Sequence, residues 1–188
     1  MLIAILAYWS TIEPSHDRVL RADVAHMPRA YINGDKVLIT NFRNFEYRSV
    51  DDFISRYEER EVDLSHLVSV DFYVSYWTSG PVAHTCVNFN FDNAPPVSVS
   101  IEARFEAHEH YDPIASLFKR CKLIYVVGDE FDIVRVRTNF RNEEVYRYPI
   151  HISSEATRLR STDLTRCLKP NKSLPGYGAM FPCAFSPR

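Results

Sequence analysis

The stretch "PVAHTCVNFNF" alternates side by side in a way that only an extended chain can use. Period-two spacing sets Val82, His84, Cys86, Asn88 and Asn90 on one face and Ala83, Thr85, Val87, Phe89 and Phe91 on the other, the pattern of a half-buried strand. The same alternation recurs in "SVDFYVSYW" and in "PPVSVSIEAR", where Val97, Val99, Ile101 and Ala103 stand against Ser98, Ser100, Glu102 and Arg104. Turn signals separate these runs: Asn33-Gly34-Asp35 ahead of the apolar strand Val37 to Phe42, Ser79-Gly80-Pro81, and Asn93-Ala94-Pro95-Pro96. "KLIYVVGDEFDIVRVRTNF" reads as two strands across Gly128-Asp129-Glu130, the second with Arg135, Arg137 and Arg141 facing solvent, and "EEVYRYPIHI" as a last strand ending near Ile152.

Two short helices complete the pattern. "SVDDFISRYEER" offers Ser49 as N-cap, Asp51 and Asp52 in the first turn, and Phe53, Ile54 and Tyr57 on one side. "YDPIASLFKRC" starts with Asp112 as N-cap and Pro113 at the first helical position. About seven strands and two helices make an α+β domain with a mainly antiparallel, barrel-like sheet. At 188 residues and 46% hydrophobic, the chain can bury one core.

Ahead of that core, residues 1–9 form an apolar stub. It is too short to cross a bilayer, which takes about 20 residues, and lacks the basic start and cleavage site of a signal peptide. Two readings stand: the trailing end of a membrane anchor, or a short buried strand. Residues 10–30 are a polar connector, 31–152 the domain, and 153–188 a segment with no burial pattern, expected to be disordered.

A net charge of −2 leaves no basic footprint for nucleic acid. With 5 glycines and no Gly-rich phosphate loop, no nucleotide cofactor is called for. Cys86, Cys121, Cys167 and Cys183 make no C-x-x-C pair, which argues against a metal. The group His108, Glu109, His110 and Asp112 reads as a solvated loop before a helix.

His84 and Cys86 invite a catalytic reading, but neighbours at i and i+2 on a strand stand about 6 to 7 Å apart. A general base must come within roughly 3 Å of the proton it takes. If His84 is catalytic, its nucleophile comes from elsewhere, and Cys86 is a small core residue. The plainer reading of His84 is a strand histidine satisfied by a hydrogen bond.

Several strings together, "NFRNFEYRSVDDF", "DLSHLVSVDFYVSYWTSGPVAHTCVNFNF", "VSVSIEAR", "LIYVVGDEFDIVRVRTNFR" and "EVYRYPI", resemble the Lnb N-terminal periplasmic domain family from about Asn41 to Ile150. The resemblance implies a circularly permuted papain-like, NlpC-type fold, with an early histidine and a later cysteine in an Asn-Cys-Thr-Thr string at a helix start. It also implies a membrane anchor ahead of the domain, a location on the periplasmic side of the bacterial inner membrane, and acyl transfer from phospholipid to a bacterial lipoprotein. His84 in "AHTCVNF" matches the family histidine. Glu102 in "SIEAR" falls on the next strand; its reading as the acid that orients His84 comes from that position and not from the family motif. Nothing after Ile152 matches the cysteine string: Cys167 stands in "LTRCLKP" and Cys183 in "FPCAFSP". The expectation is a domain incomplete at its C-terminus and lacking the catalytic cysteine. The alternative is a non-catalytic envelope domain that binds a partner or is an inactive remnant.

Overall fold

The computed structural model describes residues 11, 19–80, 82–107 and 122–150. The N-terminal stub, the helix expected from Asp112, the group around His108, and the segment 153–188 lie outside the described residues, as do Cys121, Cys167 and Cys183.

Ten strands are described: β1 Arg29–Asn33, β2 Lys36–Arg43, β3 Glu46–Tyr47, β4 Phe53–Ile54, β5 Tyr57–Asp63, β6 Leu67–Tyr76, β7 His84–Phe91, β8 Val97–Arg104, β9 Lys122–Gly128 and β10 Glu144–Ile150. Between β9 and β10 a π-helical turn, Phe131–Arg135, runs into an α-helical turn, Val136–Asn139; together they are α1. Eight strands form one sheet in the order β1-β2-β9-β8-β7-β6-β10, with β5 also paired to β2, while β3 and β4 form a separate two-stranded sheet. Antiparallel pairing dominates, and β2 meets β9 in parallel at Arg43 and Gly128. The order ends at β1 and β10 without closing, so the barrel-like expectation is corrected to an open, mostly β sheet with one short helix.

The chain falls into two compact units. One comprises Met1–Ala25, Ala103–Ile124 and Asn171–Arg188. In its described part, Arg104 donates to the Val24 and Ala25 carbonyls at 3.0 and 2.6 Å, and Leu20 bridges to Glu106. The other unit, His26–Glu102 and Tyr125–Pro170, carries the main core. Val37, Ile39 and Phe42 of β2 pack with Val62, Val70, Phe89, Phe91, Val97, Val99 and Val127. Strict alternation would send Phe42 away from the side that Val37 and Ile39 occupy. A bulge between Ile39 and Phe42 resets it, with Asn41 at φ 54° and its side-chain amide donating to the Met27 carbonyl at 2.8 Å. Asn tolerates the left-handed region better than most residues.

Two expected elements take another form. Ser49 does accept the Asp52 N–H at 3.0 Å, as a cap would. However, the Arg48 and Ser49 N–H groups turn back onto the Asp52 carbonyl, closing the β3–β4 hairpin in place of a helix. Packing decides it: Phe53 stacks on Phe45 at 5.4 Å and Tyr57 meets the same ring edge-on at 5.2 Å. Residues Phe131 to Asn139, read as a strand, are helical because Asp129 caps them. Its carboxylate accepts the Phe131 N–H and its carbonyl the Ile133 N–H, both at 2.9 Å.

An ion pair pins α1 to β2. Asp132, 0% exposed, accepts Arg43 Nε and Nη2 at 3.0 and 2.9 Å, the Phe45 N–H at 2.9 Å and the Tyr47 hydroxyl at 3.1 Å. Burial works against the Arg43 charge, but the Asp132 carboxylate outweighs it and raises the guanidinium pKa. Gly128 is required beside them. A Cβ there would press into the Arg43 carbonyl oxygen, which also accepts the Asp129 N–H at 2.9 Å.

Candidate active site

Register places the candidate residues on one side of the sheet. Ser75 pairs with His84, Tyr73 with Cys86 and Asp71 with Asn88 across β6–β7, while Cys86 pairs with Ser100 and Asn88 with Ser98 across β7–β8. These residues and Glu102, two beyond Ser100, therefore share a face. It is opposite the side on which Val70, Phe89, Val97 and Val99 reach the core. Polar residues buried here are Asp71, Ser75, Asn88, Ser98 and Ser100.

His84 is held by one nitrogen. Its Nε2 lies 2.7 Å from Ser100 Oγ and 3.3 Å from Glu102 Oε1, and Ser100 Oγ donates to the same Glu102 oxygen at 2.8 Å. Ser100 has a single hydroxyl proton, and Glu102 receives it. The serine oxygen must then accept from Nε2–H, which fixes the neutral imidazole with its proton on Nε2 and its lone pair on Nδ1. Nδ1 has no hydrogen-bond partner among the described residues.

The acid is held in turn. Arg137 Nη2 contacts Glu102 Oε1 at 2.9 Å and its Nη1 contacts Glu143 Oε2 at 3.2 Å. The Arg137 and Glu143 side chains are each only 6% exposed. Ser75 Oγ donates to Glu143 as well. Burial alone would raise the Glu102 pKa. The hydrogen bond from His84 and, when the ring is protonated, its charge, with the Arg137 guanidinium and the Ser100 hydroxyl, overcome it and hold the carboxyl well below the usual carboxylate range.

The structure thus brings His84 and Glu102 together. It adds Ser100, Arg137 and Glu143, which the sequence reading did not assign to the site. Arg137 corrects the solvent-facing strand expected there: helical geometry turns its side chain inward, where two carboxylates receive it. The available signal was the run of polar residues Asp71, Ser75, Asn88, Ser98 and Ser100 at positions that all fall on one face of otherwise apolar strands.

Neither nearby nucleophile is armed. Cys86 is 3% exposed and its thiol is pushed up to about 12, by burial first and by the Glu102 and Glu143 charges against the opposing Arg137, so it carries almost no thiolate at neutral pH. Ser100 is 1% exposed and its proton is committed to Glu102. Among the described residues no group of three or more His, Cys, Asp or Glu side chains is placed to hold a metal ion.

A ring nitrogen tied to Ser100 and to a partly exposed acid, with the second nitrogen left as a lone pair, is an arrangement able to accept a proton at Nδ1. The chain belongs to the Lnb N-terminal periplasmic domain family, which matches residues 54–174. No curated protein and no solved structure matches it. The matched stretch begins later than Asn41 and runs past Ile152, so part of the segment expected to be unrelated to the family, Cys167 included, falls within it. Among the described residues no helix is long and apolar enough to cross a membrane.

Proposed function

We propose that this is a cell-envelope domain on the periplasmic side of the inner membrane carrying the base half of a thiol acyltransferase site. The observation that supports it is the fixing of His84 through Nε2, which leaves Nδ1 to accept a proton. In such a site a thiol gives its proton to Nδ1, and the imidazolium formed is balanced by Glu102, itself kept ionised by Arg137. The thiolate adds to a phospholipid ester carbonyl and expels the lysophospholipid alcohol, leaving a thioester. A lipoprotein amine then takes the acyl group and the thiol is restored.

The polypeptide as it stands performs no such transfer. Cys86 is sealed beside His84, and neither Cys167 in "LTRCLKP" nor Cys183 in "FPCAFSP" stands in the Asn-Cys-Thr-Thr string that the resemblance implies for the nucleophile.

The purified chain would be incubated with a diacylated lipoprotein peptide and phospholipid vesicles, with and without a thiol-alkylating reagent. The expected result is no transfer above that of His84→Ala. Transfer that alkylation abolishes, and that is lost in both His84→Ala and Cys167→Ser, would show that the nucleophile is present and overturn the inactive reading. Transfer indifferent to His84→Ala would overturn the base assignment.

A further inference from the structure

Three tyrosines and a carboxylate stand at the β10 edge of the sheet, on the face away from His84. Across β6–β10, Tyr76 pairs with Glu144, Val74 with Tyr146 and Phe72 with Tyr148. Tyr76, Glu144, Tyr146 and Tyr148 therefore share one face, while Ser75 and its partner His84 lie on the other. With Ser79 and Gly80 of the β6–β7 loop they line a depression of about 370 Å³.

The two nearer rings form a corner. Tyr76 and Tyr146 stand 6.1 Å apart, centroid to centroid, at 82°. Tyr146 and Tyr148 are about half exposed, so their rings are open to a ligand. The Tyr146 hydroxyl donates to Glu144 Oε2 at 3.4 Å, and no cation pairs with Glu144 among the described residues.

The chemistry of that corner is one-signed. Aromatic faces carry negative quadrupole potential and attract cations set over them within about 6 Å, and Glu144 adds a full negative charge beside them. A neutral sugar could stack on the rings but would give the carboxylate nothing to balance. We propose that the Tyr76–Tyr146–Tyr148 corner with Glu144 is a binding site for an organic ammonium group. Ethanolamine-type headgroups and lysine side chains share this chemistry. The proposal does not rest on the acyl-transfer reading, because none of its residues touches His84.

The test titrates the ¹⁵N-labelled full chain with choline, with ethanolamine, with Nα-acetyl-lysine amide, and with 3,3-dimethylbutanol, the uncharged shape-mimic of choline. Saturable shifts confined to the backbone around Tyr76–Gly80 and Glu144–Tyr148 are expected with the ammonium probes and not with the alcohol. The stronger of ethanolamine and acetyl-lysine amide names the source. Tyr146→Ala and Glu144→Gln should each weaken binding by roughly two- to thirty-fold, in the range of a cation–π contact. Tyr146→Phe, which keeps the ring and preserves the fold if Tyr146→Ala does not, should stay close to the parent, and His84→Ala should change nothing. An equal response to the alcohol, or no saturable shift with any ammonium, would overturn the assignment.

Discussion

Replacing Glu102 by Gln removes one negative charge and almost no volume, so its effect isolates what the carboxylate does. In the parent protein a single oxygen, Oε1, meets three partners: Ser100 Oγ at 2.8 Å, Arg137 Nη2 at 2.9 Å and His84 Nε2 at 3.3 Å. The amide oxygen of Gln can keep these contacts but loses their charge assistance, and the buried Arg137 is left with Glu143 alone. Hydrogen bonds to charged groups contribute about 1.5 to 3 kcal/mol each. Because one carboxylate remains on Arg137, the net destabilisation at pH 7 should be about 2 kcal/mol, not the larger cost of a stranded buried charge. The sign with pH follows from the depressed folded-state pKa. The unfolded chain takes up the Glu102 proton first as pH falls through its ordinary value near 4.5, so the stabilisation is complete above that pH and disappears as the folded pKa is approached. Urea unfolding of both proteins, followed by tryptophan fluorescence at pH 7 and at intervals down to pH 2, should show a gap that is widest at neutral pH and narrows below about pH 4.5. Other carboxylates titrate in both proteins and cancel in the difference. Equal stability at pH 7, or a gap that does not change with pH, would refute the reasoning.

Asp132→Ala strands the Arg43 guanidinium in the interior and should cost about 3 to 5 kcal/mol by urea unfolding, whereas the double replacement Arg43→Met, Asp132→Leu should recover most of it. Gly128→Ala drives a Cβ into the Arg43 carbonyl, so a loss of about 2 kcal/mol or more is expected in the same assay. Cys86, buried with its thiol pushed up to about 12, should resist a thiol reagent in the native protein at pH 8 and react on unfolding; mass mapping of the modified peptide reads this out.

The sheet was legible wherever a strand has one face in the core. β7 and β8 alternate plainly, and from that alone His84 and Glu102 belong on a common face. The hairpin at Asn33-Gly34 was equally plain, with Gly34 at φ 60° as such a turn needs. Legibility failed where a long-range partner decides the local form. Val134 and Val136 alternate with Arg135 and Arg137 as a strand would, yet the pull of Arg43 on Asp132 and the cap at Asp129 make the segment helical. That one reversal also hid Arg137, whose inward position depends on a helix the periodicity did not suggest. Around Ser49 the cap contact was read correctly and its consequence was not, because the Phe45 ring that draws in Phe53 lies on another strand segment. Ser100 looked like any small polar residue on a strand. Its role is set by a partner on a neighbouring strand.

The central claim is that His84 is held by Nε2–H so that Nδ1 presents a lone pair. Long-range ¹H–¹⁵N NMR of the imidazole, assigned with His84→Ala, reads that tautomer directly. At a pH where the ring is neutral, the account requires the proton on Nε2, with Nδ1 showing the shift of an unprotonated nitrogen, and a weakened preference in Glu102→Gln. A proton on Nδ1, or a ring sampling both tautomers equally in the parent protein, would contradict it.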